Sequence, residues 1–212
     1  MKKRILCFGD SNTWGAIPTE SGRYPEDVRW TGVLQRELGD DYQIIEEGHN
    51  GRTTVFDDVI EGRLSGVKYF YPCVDSQSPL DLVIIMLGTN DLKPRFGVEP
   101  RSIAESLKNY LNVLKVVPMA GDTPKVLLAA PILVDPVYKD EPFMHGIFGE
   151  NADERSKGFA AEYERMAKEA GVGFINAAAY AKASRRDGIH MEAEEHEKLG
   201  KAFAEKVKEI LR

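Results

Sequence analysis

Serine, histidine, aspartate, asparagine and glycine stand in four short polar blocks of this chain, and their types suit acyl transfer. Ser11 lies in "GDSNTWG" (9–15), Gly51 in "GHNGRTT" (48–54), Asn90 in "GTND" (88–91), and Asp187 and His190 in "DGIH" (187–190). A serine hydroxyl is a weak nucleophile until a neighbouring base takes its proton. His190 is the candidate base. Asp187, three residues earlier, can turn back onto the imidazole and orient it. An attacked carbonyl becomes an oxyanion, which needs donors fixed in advance. The backbone N–H groups of Ser11 and Gly51 and the side-chain amide of Asn90 make three candidates. Glycine at 51 permits dihedrals closed to other residues and a close approach to a ligand.

Each block alone has a plainer reading. Polar turns commonly follow strands, Asn90 suits a helix cap, and Gly51 suits a turn. What precedes the blocks makes them informative. The runs "RILCF" (4–8), "YQIIEEG" (42–48), "DLVIIMLG" (81–88), "KVLLAAP" (125–131) and "GFINAAA" (173–179) read as five strands. Their near-continuous apolar character suits strands covered on both faces. Helical patterns separate them at 25–38, 100–117 and 151–171, and a last one spans 192–212. Strands alternating with helices predict an α/β fold with a doubly wound parallel sheet. Ligands of such sheets bind beyond the carboxyl ends of the strands. Three blocks directly follow the first three strands, and the fourth comes after the fifth. Segments 52–79 and 131–150 fit neither pattern and read as ordered loops, of the kind that often carry function.

In this order the four blocks resemble those of the SGNH, or GDSL-type, serine esterases. "DVRWTGVL" and "LDLVIIMLGTND" extend the likeness to the bacterial arylesterase/acyltransferase branch, over essentially the whole chain. The resemblance implies a three-layer α/β/α, flavodoxin-like fold with five parallel strands, formed by residues 1–212 as one domain. It implies Ser11 as nucleophile, His190 as base and Asp187 as orienting acid. Ser11 N–H, Gly51 N–H and Asn90 Nδ2 would form the oxyanion hole. The implied activity is hydrolysis of short-chain acyl or aryl esters, with acyl transfer or perhydrolysis as a variant, or deacetylation of a sugar or xylan fragment. It needs no metal or organic cofactor. The branch often assembles through loops like 131–150, so a homo-oligomer is expected. Asn12 departs from the family's name motif, which has leucine there. With Trp14, Ile17, Phe148 and Ile189 it is a candidate for the substrate pocket.

The other polar residues read as structural. Asp10 shapes its turn, Asp91 bonds within its own loop, and Arg52 ties its loop down. His145 is structural, and His196 falls on the charged, solvated face of the last helix. Cys7, inside the first apolar run, is a small buried hydrophobe.

Composition narrows the alternatives. The net charge of −6 argues against a nucleic-acid partner, which needs a basic face. No C-x-x-C pair supports a zinc site. No run approaches the roughly 18 apolar residues of a membrane span, and the first strand is too short for a signal peptide. The chain therefore reads as soluble and cytoplasmic. A phosphoryl-transfer site on Asp10 needs D-x-D-x-T, but Asn12 and Trp14 occupy its later positions. A noncatalytic module leaves the ordered polar set unexplained.

Overall fold

A computed structural model describes residues 2–117 and 121–212. Strands β1 (Lys3–Gly9), β2 (Tyr42–Gly48), β3 (Leu82–Met86), β4 (Lys125–Ala130) and β5 (Gly173–Asn176) form one parallel sheet, in the order β2-β1-β3-β4-β5. The helices are α1 (Ser11–Trp14), α2 (Trp30–Leu38), α3 (Gly66–Gln77), α4 (Pro100–Ser106), α5 (Lys108–Val116), α6 (Pro142–Phe148), α7 (Ala152–Ser156), α8 (Phe159–Ala170) and α9 (Ala193–Ile210). Among the described residues, no helix is long and apolar enough to cross a membrane.

Alternate strand residues point to opposite faces, and each face carries its own core. Leu6, Phe8, Val83 and Ile85 pack with Phe70 of α3, Tyr110 of α5 and Tyr163 of α8. Ile5, Cys7, Leu82 and Ile84 pack with Trp30 and Leu34 of α2 and Phe203 and Val207 of α9. This is the expected three-layer arrangement. Cys7 is fully buried, as its place in the apolar run requires.

Register sets up the site. Gly9 pairs with Gly48 on one side and Met86 on the other, so three chains leave the sheet at one level. Neighbouring crossovers diverge at β1 and β3, where a sheet of this order opens a crevice for ligands.

Several predicted elements change shape. The helical pattern at 25–38 yields a turn and then a helix from Trp30. Arg29 stays extended there, which brings its Nε to Glu46 Oε1 at 2.9 Å. The pattern at 100–117 divides at Leu107, and that at 151–171 divides between α7 and α8. Segments 52–79 and 131–150, read as loops, contain α3 and α6. In α3 only Gly66, Phe70, Cys73 and Val74 are buried, and Pro72 interrupts the pattern, so the helical period is faint. β5 is shorter than its run because the Asn176 side chain accepts the Ala178 N–H at 3.2 Å and starts a turn.

Candidate active site

The position of Ser11, the expected nucleophile, follows from how β1 stops. The Asp10 carboxylate accepts the Asn12 N–H at 3.0 Å and opens the single-turn helix α1 with Ser11 as its first residue. A helix's first N–H groups have no partner inside the helix. Among the described residues, no protein acceptor takes the N–H of Ser11 or of Gly51.

His190 and Asp187 arrive on the loop before α9. Asp187 is fully buried, and its Oδ1 accepts the N–H groups of Ile189 (2.9 Å) and His190 (3.0 Å). Its Oδ2 lies 2.7 Å from His190 Nδ1, while His190 Nε2 lies 3.0 Å from Ser11 Oγ. Such a geometry calls for the tautomer in which Nδ1–H donates to the carboxylate and Nε2 accepts from the hydroxyl. Burial raises the Asp187 pKa. The bonds from the His190 ring and the loop amides outweigh it and hold the carboxyl below its ordinary value. An anion fixed there would stabilise an imidazolium if His190 took the Ser11 proton. The loop's tightness depends on Gly188, at φ +71°, where a Cβ would lie 2.5 Å from the Asp135 carbonyl oxygen.

Across from His190 stand the other two predicted donors. Gly51 has φ +75°, a conformation side chains disfavour. Asn90 Nδ2 donates one hydrogen to the Arg52 carbonyl at 3.2 Å, which fixes the amide and leaves its second hydrogen. Ser11, Gly51, Asn90 and His190 line one cavity of about 970 Å³.

Beneath this floor the loops are locked by buried polar groups. Arg52 donates to the Gly9 carbonyl at 2.8 Å and lies 4.1 Å over the Phe8 ring, so it ties down its loop as expected. Asp91 bonds within its own loop, its N–H donating to the Gly88 carbonyl at 3.0 Å, and its carboxylate also leaves that loop. It reaches across to the Thr54 N–H at 3.0 Å and to the Thr54 hydroxyl, joining the second and third blocks. Burial pushes Asp91 up to about 7 and Asp10 up to about 6.

The family model for GDSL-like lipases/acylhydrolases matches residues 7–198. This chain belongs to that family. Its fold has solved counterparts at high similarity. A carbohydrate acetylesterase from Sinorhizobium meliloti is 40% identical, with a TM-score of 0.93, covering 99% of this chain and 100% of that one. The native aryl esterase of M. smegmatis is 39% identical, with a TM-score of 0.92, covering 98% and 99% of the two chains. A carbohydrate acetylesterase family member, also from S. meliloti, is 30% identical with a TM-score of 0.91, covering 99% of each chain. No curated protein matches by sequence. The chain is accordingly a carboxylic ester hydrolase with the SGNH α/β fold.

Around the GDSL floor, Trp14, Ile17, Phe148 and Ile189 line the cavity where the sequence suggested. Asn12 does not: its side chain turns away and bonds to the backbone at Ile189 and Met191, so its place among substrate-pocket residues is corrected. His196 is also corrected. It is fully buried beside Trp30, whose N–H it accepts at 3.3 Å, and burial lowers its pKa to about 3. The acidic and basic residues around it in α9 masked a core-facing position. His145 faces Glu150 at 2.8 Å and stays outside the cavity lining.

Sequence reading missed a charged wall of the GDSL cavity, beside Gly51. Buried Lys93 reaches Asp58 at 3.2 Å and Glu61 at 2.7 Å, and Arg95 reaches Asp58 at 2.9 Å. Arg63 completes this wall, 3.4 Å from Glu61. Charges more than 30 residues apart give no local sign that they will pair. Phe143, Met144 and Ile147 of α6 add apolar surface, hidden because their helix was read as loop.

Proposed function

We propose that this GDSL-type hydrolase cleaves short-chain acyl or aryl esters through an acyl-serine intermediate. The continuous Asp187–His190–Ser11 contact, at 2.7 and 3.0 Å, supports this reading above all, since it ends on a cavity floor that also holds three N–H donors. Ser11 Oγ attacks the ester carbonyl carbon while His190 Nε2 takes the hydroxyl proton. The carbonyl electron pair moves to oxygen, where the N–H groups of Ser11 and Gly51 and the Asn90 amide meet the charge. Collapse breaks the ester C–O bond, and His190 returns the proton to the leaving oxygen. Water then repeats the sequence on the acyl-serine and releases the acid. An alcohol or hydrogen peroxide entering in its place gives transesterification or perhydrolysis. Trp14, Ile17, Phe148 and Ile189 offer the apolar surface for the acyl chain or ring.

The charged wall favours a second reading, deacetylation of a carbohydrate. Glu61, Arg63, Lys93 and Arg95 offer one acceptor carboxylate beside three cationic donors, which suits a hydroxyl-rich leaving group. The resemblance to S. meliloti carbohydrate acetylesterases supports it. We also propose that the chain works as a homo-oligomer. Ile60 and Phe143 border the cavity at 71% and 67% exposure, and Val59 and Leu64 are similarly open. A monomeric mass by light scattering would remove that proposal.

Turnover of p-nitrophenyl acetate and of an acetylated xylo-oligosaccharide tests the whole reading. Wild-type protein should hydrolyse at least one, and Ser11→Ala neither. Wild-type rates in Ser11→Ala would overturn it, and the ratio of the two substrates decides between the leaving groups.

A further inference from the structure

Asn12 sits directly after the nucleophile and is 4% exposed, yet it contributes nothing to the cavity lining. Both ends of its side-chain amide are spent on the loop that carries the base. Asn12 Nδ2 donates to the Ile189 carbonyl at 3.1 Å, and Asn12 Oδ1 accepts the Met191 N–H at 3.1 Å. These two backbone groups flank His190 in the chain. An amide side chain offers one donor side and one acceptor side, so Asn12 grips the loop on both sides of His190, much as a neighbouring strand would.

The remaining bonds of the loop run within it, save that the Asp135 N–H donates to the Gly188 carbonyl at 2.9 Å. Asp187 holds the Ile189 and His190 amides, and Ser184 N–H donates to the His190 carbonyl at 2.7 Å. Among the described residues, the hydrogen bonds from residues 9–15 to residues 187–191 are those of Asn12 and the Ser11–His190 contact itself. Asn12 is held in turn, because Asp10 accepts its N–H at 3.0 Å.

We infer that Asn12 is a positioning residue: it clamps the His190 loop to the β1–α1 turn and so sets the distance between base and nucleophile. The inference rests on the reading of Ser11 and His190 as that pair. Leucine, the residue of the motif that this block otherwise resembles, can make neither bond. In this chain it would leave the Ile189 carbonyl and the Met191 N–H buried without their partner, a state the loop relieves by moving.

The experiment is a double-mutant cycle on p-nitrophenyl acetate turnover, with thermal unfolding to establish that each variant is folded. In the wild-type background, Asn12→Leu should lower kcat by ~10- to 100-fold, the scale of a misplacement near 1 Å. KM should stay within about threefold, as fits a residue acting on the transition state through the base. In the His190→Ala background the same change should have no further effect within about twofold, since the clamp acts through the imidazole. A merely structural Asn12 would cost the same in both backgrounds. Should Asn12→Leu fail to fold, Asn12→Asp, which keeps the acceptor for Met191 and loses the donor to Ile189, runs the same cycle. The clamp is overturned by a kcat within twofold of wild type, by equal losses in both backgrounds, or by a loss confined to KM. Ser11→Ala runs alongside: if it retains turnover, the nucleophile reading has failed; if it is inactive, the outcome bears on Asn12 alone.

Discussion

On the floor of the cavity Ser11, Asn90 and Asp187 are 7%, 6% and 0% exposed; Asn90 is held by the loop after β2, Asp187 by its own loop, and Ser11 meets His190 of the loop before α9. At the rim, Ile60 and Phe143 stand 71% and 67% exposed, and next to them the buried Asp58 and Lys93 pair with Glu61 and Arg95 between separate loops. The floor is fixed by the register of β1 with β2 and β3, which the two cores hold rigidly. The rim is fixed by pairs of long side chains on loops. On the proposed function, bond cleavage belongs to this buried floor and choice of ester to the rim. Substitutions in the floor should change kcat for every ester alike, and substitutions in the rim should change which ester is preferred.

The largest effect belongs to the floor. His190→Ala should lower kcat by ~10⁴-fold or more on any ester, as removal of a base from a nucleophile–base pair does. Steady-state assays on aryl and sugar acetates check that the two losses match. Asn90→Ala should cost ~10²–10³ in kcat, the range for one oxyanion donor, again on both substrates. Unequal losses would mean that Asn90 contacts the leaving group and would blur the division between floor and rim.

Arg95→Met tests the rim. It removes the pairs with Asp58 and Glu61 and should shift the ratio of kcat/KM between an acetylated sugar and p-nitrophenyl acetate by up to ~10-fold, the equivalent of one hydrogen bond. A parallel fall on both substrates would return this wall to a scaffolding role.

The smallest effect concerns the buried layer beneath the floor. Asp91 has a folded pKa of about 7, raised by burial, against ~4 in an unfolded chain. The folded state therefore holds the proton more tightly. Stability from this group is complete below ~4 and is lost as pH rises towards 7. Asp91→Asn cannot ionise, so the fall in Tm between pH 5 and pH 8 should shrink by a few degrees relative to wild type. Differential scanning calorimetry at the two pH values reads this directly.

The same division explains what the sequence disclosed. Asp187 and His190, some way past the fifth run, were legible by their three-residue spacing. Ser11, Gly51 and Asn90 were legible because each lies in a short block beside an apolar run, and parallel strands bring such blocks together. The five strands were legible for the same reason. Helix α3 was not, since Pro72 and the exposed Tyr69 and Tyr71 blur its period. Neither was the Asp58–Lys93 pairing, which depends on two loops meeting in space. Asn12 shows the limit most sharply. Its type and its place beside Ser11 suggested the pocket, whereas its partners Ile189 and Met191 lie 177 and 179 residues away and turn it towards the base.

The proposed function makes Ser11 a nucleophile activated by His190. It is tested most directly by treating the intact protein with a fluorophosphonate probe and mapping the adduct by peptide mass spectrometry. The account predicts one covalent adduct on Ser11, absent from Ser11→Ala and formed far more slowly in His190→Ala. An unlabelled Ser11 in a folded, ester-hydrolysing protein, or an adduct on another residue that blocks turnover, would contradict it.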